Sequence, residues 1–164
     1  YGLVGSEMGI RDRKINYPLN SPEIWDELLT FLGASYFRAL GQGSSYGTSA
    51  RGIAIDTAAG KPEEFPRFTR FYVGPPGQFD ASITIYAQLE GPSVTGAYRF
   101  ITRPGKDTTM DVTARIFVRR DISRLGIAPL TSMFLYGGPN RAAFDDYRER
   151  VHDSEGLKLS LIHI

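Results

Sequence analysis

Three stretches late in the chain alternate apolar and polar side chains with a period of two, and glycine or proline separates them. Residues 82–89 put Ile83, Ile85, Ala87 and Leu89 on one face and Thr84, Tyr86 and Gln88 on the other. Residues 96–103 place Tyr98 and Phe100 together. In residues 109–119, Met110, Val112, Ala114, Ile116 and Val118 face one way, opposite Asp111, Thr113, Arg115, Phe117 and Arg119. A helix repeats every 3.6 residues and cannot hold such sets on one side, whereas a strand does. The links between these stretches run to roughly five to eight residues, and a parallel crossover needs about a dozen or more. The expected class is therefore all-β, an antiparallel β-sandwich.

The rest of the chain is compatible with that class. Residues 50–57 alternate with Ile53 and Ile55 inward, residues 68–73 form a further strand, and residues 14–17 a short one. Eighteen glycines and ten prolines suit many short strands joined by turns. One local exception is expected. Ser21-Pro22-Glu23 has the form of a helix start, with Trp25, Leu28 and Leu29 at helical spacing behind it, so a short helix or turn is predicted near residues 22–30. Neither an internal repeat nor a linker divides the chain, which reads as one sandwich unit or part of a larger one.

Charge and composition exclude several functions. The formal net charge is +1 with both signs interspersed, so no clustered basic face for nucleic acid is expected. No apolar run approaches the roughly 18 residues of a membrane span. The lack of cysteine removes disulfides, thiolate catalysis and cysteine zinc sites, and no ligand spacing for a metal or cofactor remains. The chain opens without Met or a signal peptide, in what reads as mid-domain. Residues 159–164 follow without a cap and resemble an adaptor-derived tail; a genuine edge strand is the alternative. With that tail set aside, His152 is the one native histidine.

The densest group of proton-handling side chains is His152, Asp153, Ser154 and Glu155. Asp and Ser in such a run commonly close a turn by bonding their own backbone. The other reading gives Asp153 a catalytic carboxylate's role, with His152 a hydrogen-bonding neighbour or ligand contact. For a sugar ligand, aromatic faces stack on pyranose rings while Arg, Ser and Thr bond hydroxyls. Tyr36, Arg38, Tyr46, Arg51, Thr131, Ser132, Met133 and Tyr136 are the candidates. Each has a structural alternative; Arg51, for example, could simply pair with Asp56 or another strand carboxylate.

Six blocks occur together and in order: Phe31-Leu-Gly-Ala-Ser-Tyr-Phe-Arg-Ala39, Tyr46-Gly-x-Ser-Ala-Arg-Gly-x-Ala-Ile-Asp-Thr57, Glu63-Glu-Phe-Pro-x-Phe68, Gly96-Ala-Tyr98, Leu125-Gly-Ile-Ala-Pro-x-Thr-Ser-Met-Phe134 and His152-Asp-Ser154. Over residues 1–158 the chain resembles the periplasmic glucan biosynthesis protein family (MdoG/OpgG and its paralogue OpgD). The resemblance implies an internal part of a large amino-terminal sandwich similar to galactose mutarotase, followed in full-length members by an immunoglobulin-like domain. It implies a periplasmic location and a β-glucan ligand, with the membrane glucan synthase as a possible partner. Some members are inverting endo-β-1,2-glucanases, in which the aspartate matching Asp153 is a catalytic carboxylate, expected to be the general base. The general acid lies further along, so this stretch alone is expected to be inactive. Glu155 departs from the aspartate common after that serine. The alternatives are a non-catalytic glucan-binding protein acting with the synthase, and an unrelated carbohydrate-binding sandwich.

Overall fold

The computed structural model describes residues 3–5, 13–44, 48–75, 81–131, 134–138, 142 and 145–152. Its elements are strands: β1 (Leu3–Gly5), β2 (Arg13–Ser21), β3 (Ile24–Leu32), β4 (Tyr36–Ala39), β5 (Ser49–Arg51), β6 (Ile53–Ile55), β7 (Arg67–Val73), β8 (Ile83–Glu90), β9 (Val94–Arg103), β10 (Thr109–Val118), β11 (Leu125–Ile127), β12 (Leu130–Thr131), β13 (Phe134–Tyr136) and β14 (Val151–His152). All pairings are antiparallel. One sheet runs β1-β2-β3-β4-β5-β12, a second β10-β9-β8-β7, and β11-β6 and β13-β14 form two small ribbons. Among the described residues no helix is long and apolar enough to cross a membrane.

The two large sheets share one core. Ile15, Leu29, Phe31 and Phe37 come from the six-stranded sheet; Ile83, Ile85, Ala87, Leu89, Tyr98 and Phe100 come from the four-stranded one. Phenylalanine rings join them. Phe100 lies 5.0 Å from both Phe31 and Phe37, and Phe31 lies 4.8 Å from Phe71. Edge-to-face contacts of this kind add about 0.5–1.5 kcal/mol per pair to the burial itself. The alternation in residues 82–89 and 96–103 thus points where expected: odd positions of β8 and even positions of β9 fill the core.

One local expectation needs correction. Ser21-Pro22-Glu23 makes a turn, but the chain leaves it as strand β3, with no helix over residues 24–30. Trp25 is 54% exposed while Leu28 and Leu29 are fully buried, a split that no single helical face produces. Pairing with β2 on one side and β4 on the other wins over the local start signal, because a central strand satisfies its backbone groups on both edges. An irregular register step brings Ile15 opposite Leu29 and Asn16 opposite Glu27, so adjacent Leu28 and Leu29 are both buried. In β10 the alternation is present but its apolar face is mostly open. Met110 and Ile116 pack against the core, whereas Val112 and Val118 are exposed.

Candidate functional site

The outer face of the six-stranded sheet carries the polar groups. Thr30 sits opposite Lys14 on one side and Arg38 on the other, which sets a row across β2, β3 and β4. Glu27 accepts from Lys14 Nζ and Arg38 Nη2, each at 2.8 Å. Burial alone would raise the Glu27 carboxyl, but the bonds from Lys14 and Arg38 outweigh it and hold the group at about 2.

In the next row Tyr36 of β4 sits opposite Arg51 of β5. Arg51 is 5% exposed, a placement an arginine holds only with partners. Its Nη1 donates to Glu63 Oε1 at 2.5 Å, and Thr57 Oγ1 donates to the same oxygen at 2.7 Å. The guanidinium also lies 4.8 Å from the Phe65 ring and 5.4 Å from the Tyr36 ring. These bonds, Arg51's first, keep the Glu63 carboxyl below its ordinary range. Nε and Nη2 of Arg51 are buried and have no partner among the described residues.

Arg51 borders a cleft of about 360 Å³ whose other walls include Thr57, Arg124, Gly126, Pro129 and Thr131. Its floor is a crossing of strands: Arg51 N donates to Pro129 O, and Leu130 and Thr131 pair with Ala50 and Ser49. Asp56, in a left-handed turn conformation at φ 57°, fastens the far wall. It accepts from Ser123 Oγ (2.6 Å), Arg124 N (3.0 Å) and Lys61 Nζ (2.9 Å), and these contacts hold its carboxyl at about 2. Arg124 Nη1 in turn donates to the carbonyls of Thr57 and Ala58. A larger depression of about 750 Å³ is lined by Glu63, Glu64, Phe65, Arg67 and Glu90. Its acids are engaged: Glu64 accepts from Ser93 N, and Glu90 from Gln88, Thr95 and Arg119.

Of the expected site residues, Tyr36, Arg38, Arg51 and Thr131 gather on this one sheet. Arg38 is committed to Glu27, and the Thr131 hydroxyl donates to Ser49 O at 3.1 Å. Tyr136 and His152 occupy the separate ribbon β13-β14. There His152 Nδ1 lies 3.3 Å from Tyr136 O, and the buried Tyr136 hydroxyl donates to Arg148 O at 3.3 Å. Tyr46, Ser132, Met133 and Asp153 lie outside the described residues. The Arg51 partner is Glu63, while Asp56 takes the role of turn fastener. Glu63, Phe65, Arg124 and Glu27 were not foreseen as site residues. A signal for Glu63 existed: an arginine beside the inward Ile53 and Ile55 demands a buried acid, and Glu63-Glu64 follows within a dozen residues.

These features define an all-β sandwich protein with a cleft bordered by Arg51 and Arg124. The chain belongs to the periplasmic glucan biosynthesis protein family, MdoG, whose family model matches residues 4–162. Proteins named glucans biosynthesis protein G are similar to it. The one from Cereibacter sphaeroides is 57% identical over 149 residues, which is 91% of this chain and 28% of that protein. The Ralstonia nicotianae protein is 51% identical over 152 residues (93% and 30%), and a Pseudomonas aeruginosa protein 50% over 153 residues (93% and 29%). The chain thus spans less than a third of the length of these relatives.

Proposed function

We propose that this chain is the glucan-contacting part of a periplasmic protein that hydrolyses β-1,2-linked glucan with inversion, with Asp153 as general base. The observation that carries the binding half is Arg51. Its guanidinium lies 4.8 Å from the Phe65 ring and 5.4 Å from the Tyr36 ring, is anchored by Glu63, and belongs to a residue that borders the cleft. Tyr36 and the half-exposed Phe65 offer faces for pyranose rings, and the exposed Thr57 and Arg124 of the cleft suit sugar oxygens. For the chemistry, inversion needs an acid and a base about 6.5–9.5 Å apart with a water between. Every described carboxylate with a displaced titration moves downward (Glu27, Asp56, Glu63, Glu90 and Asp146), so none of these five serves as the protonated acid at neutral pH. The acid on this reading lies in the part of the relatives beyond this stretch.

The second reading is a non-catalytic protein that binds nascent glucan and passes it to the membrane synthase. The fully engaged carboxylates of the sheet face favour it over a hydrolase confined to these residues. Asp153→Asn in the relatives-length protein separates the two. Hydrolysis is expected to vanish while binding of a β-1,2-glucan persists. Turnover close to wild type would remove Asp153 from the base role, and a wild-type protein that binds without cleaving would establish the second reading.

A further inference from the structure

Charges of both signs mix along the sequence, but they separate on the outer face of the four-stranded sheet. Ile85, Leu89 and Phe100 point into the core, so the positions between them point out. The register sets Tyr72, Tyr86, Arg99 and Thr113 in one row across β7, β8, β9 and β10, and Arg70, Gln88, Ala97 and Arg115 in the next. On the same face Arg67 sits opposite Glu90, and Arg103 bonds Asp111 at 2.6 Å. Arg119, just past β10, bonds Glu90 at 3.0 Å.

The described part of this face thus holds six of the chain's 19 cations but two of its 18 acids, a formal +4 on a chain whose total is +1. Both acids are already paired, Asp111 with Arg103 and Glu90 with Arg119. Arg67, Arg70, Arg99 and Arg115 have no acid partner among the described residues, and all four are exposed. Arg99 donates to the Thr113 hydroxyl at 3.2 Å, a neutral partner that leaves its charge in place. Their summed field makes the face attractive to an extended negative surface.

The spread of these cations selects the occupant. Strand spacing puts β7 about 14 Å from β10, so Arg70 and Arg115 stand on opposite sides of the sheet and cannot close on one small anion. A rigid acidic protein would need a carboxylate in register with each arginine, whereas charged lipids diffuse laterally to wherever a cation stands. Among the arginines lie Tyr72 and Tyr86, 55% and 46% exposed and directly opposite each other. Such rings, apolar with a hydroxyl at the tip, favour the boundary between headgroups and acyl chains. We propose that this face docks on a lipid bilayer carrying anionic headgroups, as a reversible, salt-sensitive contact on the sheet that does not carry Arg51. The glucan reading plays no part in it.

The test is co-sedimentation of the full chain with phosphatidylcholine vesicles, made with and without phosphatidylglycerol, at low salt. A cation near an anionic surface raises affinity about fivefold, so the phosphatidylglycerol vesicles should bind at least about tenfold more tightly. High salt should abolish the difference. Arg70→Gln, Arg99→Gln and Arg115→Gln together should remove most of that preference, and these exposed sites should leave the fold intact. Lys14→Gln, Lys61→Gln and Arg148→Gln together remove the same charge elsewhere and should retain it. Equal losses in the two triple variants would reduce the effect to net charge and overturn the proposal. Equal binding to both kinds of vesicle would overturn it too, as would tighter binding to soluble polyglutamate, which assigns the face to an acidic protein. If a triple variant does not fold, the wild-type preference, its salt dependence and the polyglutamate comparison decide. The relatives-length protein should show the same preference; its loss there would mean that another part of the protein covers the face, and would overturn the proposal. None of these outcomes bears on glucan binding.

Discussion

The hydroxyl of Tyr98, in the four-stranded sheet, donates to the backbone carbonyl of Gly52 at 2.9 Å, in the one-residue gap between β5 and β6. Gly52 follows Arg51 directly, so a bond from the core fixes the strand that presents the cleft's buried cation. The contact is close enough to dictate the residue. A Cβ at position 52 would sit 3.1 Å from Phe68 Cζ and 3.3 Å from the Tyr98 ring. Burial pushes the Tyr98 phenol up to about 12, so it remains a donor throughout the physiological range.

Tyr98→Phe isolates that bond, because the ring contacts to Phe68 and Phe100 remain. The Gly52 carbonyl would lose its principal partner, and the expected cost is about 1–3 kcal/mol in chemical denaturation. A change within about 0.5 kcal/mol, the range of an ordinary surface substitution, would mean that the bond contributes little.

Gly52→Ala tests the packing instead of the bond. The added methyl must push the Phe68 or Tyr98 ring, both locked in the aromatic core, and overpacking of this kind costs about 1–3 kcal/mol. Thermal melting reads the loss. Because the strand that carries Arg51 must shift too, ligand affinity at the cleft should fall in the same variant while the secondary structure persists.

Acid should loosen the outer sheet face in a defined window. Glu27 and Asp56 sit at about 2, below their ordinary 4.5 and 3.8, and Glu63 is also lowered. Lowered carboxylates stabilise the fold fully above their unfolded values and lose that contribution as pH falls through the folded ones. Stability is therefore expected to decline from about pH 4.5 toward pH 2. Glu27→Gln should be less stable at pH 7 and show a shallower decline, measured by denaturant midpoints across pH. An equally steep acid limb in the variant would exclude Glu27 as a contributor.

The parts of this fold that could be read beforehand are those decided by alternation. Ile83 to Leu89 and Tyr98 with Phe100 fill the core because a two-residue period leaves them one buried face. Partnership across the chain was harder to see. Arg51 meets Glu63 and not Asp56 because Asp56 takes a left-handed turn conformation that directs it to Ser123 and Arg124, a choice no strand pattern encodes. Tyr36, Arg38, Arg51 and Thr131 were individually unremarkable polar or aromatic residues, and only the register β3-β4-β5-β12 gathers them. Tyr136 and His152, candidates of the same reading, lie on the ribbon β13-β14, where His152 Nδ1 is 3.3 Å from Tyr136 O.

Trp25 and Leu29 distinguish strand from helix over residues 24–30 by stability alone. On a helix their spacing would put Trp25, Leu28 and Leu29 against a common surface, and truncating the tryptophan would cost as much as truncating a leucine. In β3, Trp25 is half-exposed at one end of the strand, while Leu29 is fully buried between Ile15 and Ala39. Leu29→Ala should therefore cost about 2–5 kcal/mol, through lost burial and the cavity left behind. Trp25→Ala should stay below about 1 kcal/mol, because the exposed half of the ring loses no burial and strand pairing through the backbone survives. Equilibrium denaturation of the two variants side by side gives the comparison, and similar losses in both would contradict the strand assignment.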